Sequence, residues 1–125
     1  MNKEFIPYEI ALALKELGFN RECFSWYREG ILENEVNEIF YFTHSLRGDA
    51  FVSAPLYQQA FRWFRENYEL HSTLTSISQE SWQYHITKPG ESLGTLYDED
   101  YYTYEEAELA CLIKLIEIIK LKKDE

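Results

Sequence analysis

The stretch from Thr103 to Leu121 constrains this chain more than any other part of its sequence. Thr103-x-x-Glu106 is a capping box, in which the threonine hydroxyl and the glutamate carboxylate satisfy backbone N–H groups that open a helix. The run behind it is apolar on two sides. Ala107, Cys111, Leu115 and Ile118 share one face, while Leu109, Ile113 and Ile116 lie nearly opposite, where a surface helix would be polar. Two arrangements satisfy such a helix: a central position between a sheet and another helix, or a second face used as an interface. Lys114, Glu117 and Lys120 interrupt the apolar run, so it is too short and too charged to span a bilayer. Lys120, Lys122 and Lys123 suit the negative pole of the helix.

Two earlier segments carry the same helical signature. Pro7 to Leu17 reads as a helix, with Ile6, Ile10, Leu14 and Leu17 at helical spacing. Pro7 fits the first turn, and Gly18 supplies a left-handed stop before Phe19. A second helix is expected from Ser53 or Ala54, with Pro55 in its first turn. Leu56, Tyr57, Ala60, Phe61, Trp63, Phe64 and Tyr68 line its apolar side, and Gln58, Gln59, Arg62, Arg65 and Glu66 the other.

Between the helices the periodicity shortens to that of strands. Cys23–Glu29 and Val36–Phe42 read as one pair, with the turn left open between Glu29-Gly30 and Glu33-Asn34. Ser45–Ser53 reads as a loop. Leu70–Ile77 and Glu80–Lys88 read as a second hairpin, in which Trp82, Tyr84 and Ile86 alternate with Gln83, His85 and Thr87. A polar loop follows from Pro89 to Tyr102, with an extended piece at Leu93–Tyr97. The expected fold class is α+β, in the order α-ββ-α-ββ-α: one four-stranded antiparallel sheet packed by three helices. The 125 residues form a single domain in this reading.

Charge narrows the set of partners. There are 22 acids against 12 bases, and none of the bases falls between Glu91 and Glu108, where seven acids lie. Generic binding to nucleic acid rests on neutralising phosphates with Lys and Arg, so this balance counts against it. The acidic stretch reads as a solvated loop running into a helix N-terminus, where negative charge is favourable.

Chemistry has little material to work with. His44, His71 and His85 are not spaced as metal ligands, and Asp98-Glu99-Asp100 lacks the alternation of a calcium loop, so neither a metal nor a cofactor is expected. The two cysteines, Cys23 and Cys111, lie far apart. Cys111 falls among apolar helix residues, and nothing near Cys23 in sequence would activate it. Nucleophile elbows, phosphate loops and zinc-protease motifs are missing, so the reading leans away from an enzyme. Arg62 and Arg65, one helical turn apart, could hold an anion. With Trp26 and Trp82 as stacking surfaces, they make up the material for a small-ligand site. The blander reading pairs Arg62 with Glu66 on a solvated face.

Several blocks also resemble a known group. Phe5-Ile6-Pro7-Tyr8-Glu9, Leu14-Lys15-Glu16-Leu17-Gly18-Phe19, Pro55-Leu56-Tyr57-Gln58-Gln59-Ala60-Phe61, Trp63-Phe64-Arg65 and Thr103-Tyr104-Glu105-Glu106-Ala107-Glu108 carry the likeness. Together they resemble a family of small proteins encoded by bacteriophages and prophages of Bacteroidetes. The element order is similar to that of the phage ABA-sandwich domain. Neither group carries an assigned activity, so the resemblance implies a setting and no catalytic residues: an accessory gene product in the bacterial cytoplasm. The N-terminus lacks a basic-then-apolar leader pattern, which agrees with that setting. The expected function is a non-enzymatic interaction module, with Leu109, Ile113 and Ile116 as an interface and a two-fold homodimer as its assembly. The competing expectation is a binder that sequesters a nucleotide signal of host defence.

Overall fold

A computed structural model describes residues 5–21, 23, 25–28, 30–34, 51–90 and 100–123. The chain divides into two compact units, Met1–Ala60 and Phe61–Glu125, and each is described by itself.

In the first unit, helix α1 (Tyr8–Leu17) is followed by strands β1 (Ser25–Arg28), β2 (Ile31–Asn34) and β3 (Phe51–Ser53). Pro7 caps α1, its carbonyl accepting the N–H groups of Ile10 and Ala11 at 3.1 and 2.9 Å. Gly18 ends the helix at φ 102°, a conformation that a side chain would strain. Phe19 then donates its N–H to the Leu14 carbonyl at 2.9 Å and is buried, as the stop signal implies.

The three strands form an antiparallel sheet in the order β2-β1-β3, so β1 is hydrogen-bonded along both edges. Arg28 pairs with Ile31, which places the hairpin turn between them, with Gly30 at φ 81°. Of the two turn sites open in the sequence, the one that contains Gly30 is therefore used. The second strand follows at once, at Ile31–Asn34, whereas the expected Val36–Phe42 strand lies outside the described residues.

Phe51–Ser53 is a strand, where the sequence reading placed a loop. Three residues are too few to show a period of two, and their extended shape comes from pairing with β1. The extended chain continues past β3. Ala54 donates to the Ser25 carbonyl at 2.9 Å, the Pro55 carbonyl accepts from Ile6 at 3.0 Å, and Leu56 bridges to Phe5. This pairing moves the start of helix α2 (Tyr57–Tyr68) to a point after Pro55, three or four residues later than the sequence suggests. The Tyr27 hydroxyl, buried, donates to the Ile6 carbonyl at 2.7 Å, and the Tyr8 ring packs edge-on to Tyr27 at 5.4 Å.

α2 runs across the boundary between the units. Tyr57, Ala60, Trp63 and Phe64 are buried, while Gln58, Arg62, Arg65 and Glu66 are exposed, as the wheel requires. Trp63 meets Phe64 and Tyr68 edge-on, at 5.1 and 5.4 Å. Glu69 closes the helix at φ 57°, and Leu70 donates back to Phe64 at 3.3 Å.

The second unit continues with the hairpin β4 (His71–Ser78) and β5 (Ser81–Thr87), close to the expected bounds, and ends in α3 (Tyr104–Lys123). Ser72 faces Ile86 and Leu74 faces Tyr84 across the hairpin. These residues lie on the side where alternation places Trp82 as well. α3 packs against both strands. Tyr101 adds a one-residue extension to the sheet by exchanging two backbone hydrogen bonds with Trp82, at 2.7 and 2.8 Å.

The fold class is thus α+β, with three helices among the described residues. The described strands form two sheets, of three and two strands, rather than the single four-stranded sheet expected. Two hairpins close in sequence invite the simpler joining. β3 instead completes the first sheet, and the second hairpin is covered by α3.

Candidate functional site

α3 begins as the capping box indicates. Glu106 donates its N–H to the Thr103 hydroxyl at 3.1 Å, and Ala107 donates to the Thr103 carbonyl at 3.1 Å. The Glu106 carboxylate reaches back one residue further than the usual box, to the Tyr102 N–H at 3.3 Å. Beyond the cap, Ala107, Cys111, Leu112, Leu115, Ile116 and Ile119 are buried. At about 100° per residue they cover half the circumference of the helix. Leu112 and Ile119 fill the gap between the two apolar groups seen in the sequence, so one broad arc replaces two opposite faces.

The three expected interface residues fall at different depths. Ile116 is 5% exposed and belongs to the edge of the buried arc. Leu109 is half-buried, and Ile113 is 44% exposed. Leu121, eight residues on, is 61% exposed. The outer stripe of α3 therefore carries Ile113 and Leu121 among Glu106, Glu117 and Lys120. Lys114 lies at its margin, 3.5 Å from Glu117.

Glu108 sits within the span of the buried arc, and sequence reasoning passed over it. Burial raises its carboxyl above the ordinary value, with the Tyr104 hydroxyl pulling the other way as a hydrogen-bond donor and Glu105 adding repulsion. Tyr104 is raised as well, by burial first and then by Glu108. Its ring meets Trp82 edge-on at 5.2 Å. The signal was present in sequence: an acid flanked at i−1, i+3 and i+4 by Ala107, Cys111 and Leu112 cannot be fully solvated.

Neither thiol is poised for attack. Burial pushes Cys111 up to about 11, with the Ser72 hydroxyl partly offsetting this, and pushes Cys23 up to about 12. The Cys23 thiol contacts the Arg21 carbonyl at 3.5 Å. A thiol held protonated at neutral pH is a poor nucleophile.

The ligand-site residues are divided between the units. Trp26 lies in β1 of the first unit and is 4% exposed, so its ring is core material. Arg62, Arg65 and Trp82 belong to the second unit. Arg62 donates from Nε to Glu66 at 3.4 Å, which is the i,i+4 pair of the blander reading. Arg65 is exposed on the same helix, and Trp82 is half-buried under Tyr104. His71 and His85 lie on the side of the hairpin away from Ser72, Tyr84 and Ile86, with Thr73, Thr75, Gln83 and Thr87. His44, Asp98 and Glu99 fall outside the described residues. Among those described, no group of three or more His, Cys, Asp or Glu is placed to hold a metal ion. No described helix is long and apolar enough to cross a membrane.

No protein-family model matches the chain, and neither curated proteins nor solved structures yield a match.

Proposed function

We propose that this chain is a non-enzymatic interaction module, an accessory protein of the phage or prophage kind acting in the bacterial cytoplasm, and that the outer stripe of α3 is its binding element. One observation carries the reading. Ile113 and Leu121 stand exposed on a helix whose other side is already buried in the protein. On one stripe of a long helix, with charged residues around them, these two side chains offer apolar contact to a partner. The sequence blocks that resemble the phage proteins support the setting.

The test is native mass spectrometry of the protein purified gently from a bacterial host, followed by denaturation to release whatever it holds. The reading expects protein-sized mass on the wild type, lost when Ile113→Glu and Leu121→Glu are introduced together. A small molecule retained in stoichiometric amount would overturn it in favour of a sequestering protein.

A further inference from the structure

The outer stripe of α3 has a symmetry that its apolar residues alone do not show. α3 spans Tyr104–Lys123, and Ile113 falls at its midpoint. The two ends of the helix carry opposite charge about that point, with Glu117 an acid between Ile113 and the basic end. Glu105 and Glu106 occupy the first turn, and Lys120, Lys122 and Lys123 the last. Glu106, Ile113 and Lys120 are each seven residues apart, so they recur along one stripe of the helix.

We infer that the partner of this stripe is a second copy of the chain, the two α3 helices lying antiparallel about a two-fold axis near Ile113. The inference rests on the interaction-module reading and names its partner. In that arrangement Ile113 meets Ile113 of the other copy. Glu106 of each copy falls beside Lys120 of the other, and this contact is made twice because the interface is self-complementary. Leu109 and Ala110 flank the centre, both half-buried in the single chain and so able to lose further surface. A parallel pairing would instead set Glu106 against Glu106 and Lys120 against Lys120. The antiparallel one also places the positive N-terminal pole of each helix beside the negative C-terminal pole of its partner. The apolar centre is small, so the dimer should be concentration-dependent, at the weak end of specific interfaces.

Sedimentation equilibrium from low to high micromolar concentration tests the inference, with Lys120→Glu and Glu106→Lys prepared as separate proteins. The wild type should pass from monomer to dimer across the range, and each single variant should remain monomeric, since each now opposes like charges twice. Mixed in equal amounts, the two variants should recover dimer, because every Glu106–Lys120 contact is then again between opposite charges. Recovery on mixing also shows that both variants are folded. A wild type that stays monomeric throughout overturns the self-pairing while leaving the module reading to the masses found by native spectrometry. A dimer that neither charge reversal weakens overturns it as well.

Discussion

The two units solve the problem of covering a small sheet in different ways. In the first, β1 has a strand on each edge, and the chain on either side of it is tied in by contacts far apart in sequence. Tyr27 reaches Ile6, Ile6 reaches Pro55, and Ala54 reaches Ser25. In the second, a hairpin of adjacent strands is covered by one long helix, with Tyr101 as a minimal extra strand. In the first arrangement the groups that make these ties, Ile6, Ser25, Tyr27, Ala54 and Pro55, are all buried. The second leaves one side of α3 exposed, and that side is where the proposed binding surface falls. A helix laid on a hairpin thus keeps an exposed stripe, whereas the first unit is held by ties between segments far apart in the chain.

The largest effect expected is in the first unit. Trp26→Ala removes a buried ring from the central strand and should cost about 3–5 kcal/mol in urea unfolding. Were Trp26 a stacking surface for a ligand, the same change would leave stability almost untouched and remove binding instead. Tyr27→Phe sharpens the point about distant ties, because it deletes the buried hydroxyl that donates to Ile6 and leaves that carbonyl without this donor. Its expected cost is about 1–3 kcal/mol. A negligible loss would mean that the tie contributes nothing to closing the unit.

In the second unit, Thr103→Ala should cost about 1 kcal/mol through the lost cap, and Thr103→Asp much less. Equal stability of wild type and Thr103→Ala would place the effective start of α3 elsewhere.

The smallest effect is one of pH. The Glu108 carboxyl is raised in the folded state, chiefly by burial, so the folded protein holds its proton more tightly than the unfolded chain does. The resulting stability is fully present below the ordinary value of 4.5 and is lost as pH rises through the folded value. Glu108→Gln removes this dependence. Relative to wild type, the variant should therefore gain stability as the pH rises from below 4.5 towards neutral. A wild-type-minus-variant difference that is flat across that range would show Glu108 to be solvated.

Legibility in the sequence followed the same division. The signals with local causes were readable: Pro7 and Gly18 around α1, Thr103 and Glu106 at α3, and the strict alternation of Trp82, Tyr84 and Ile86 along β5. What escaped depended on partners distant in the chain. β3 has three residues and no pattern of its own, and its pairing with β1 also sets where α2 begins. At the candidate surface, the unusual polarity of α3 was readable but its division was not. Grouping Ile116 with Ile113 required leaving out Leu112 and Ile119, which carry the buried arc round to Ile116. Glu108 escaped because an acid near a helix start reads as a favourable charge at the dipole, whatever it is packed against.

α3 is divided into an inner arc that holds the fold and an outer stripe that does not. Urea unfolding of Ile113→Glu at a concentration low enough for monomer tests this most directly. The variant's unfolding free energy should lie within about 0.5 kcal/mol of wild type, as for an ordinary surface substitution. A loss of several kcal/mol, the penalty for a buried and unpaired carboxylate, would place Ile113 inside the core and contradict the division.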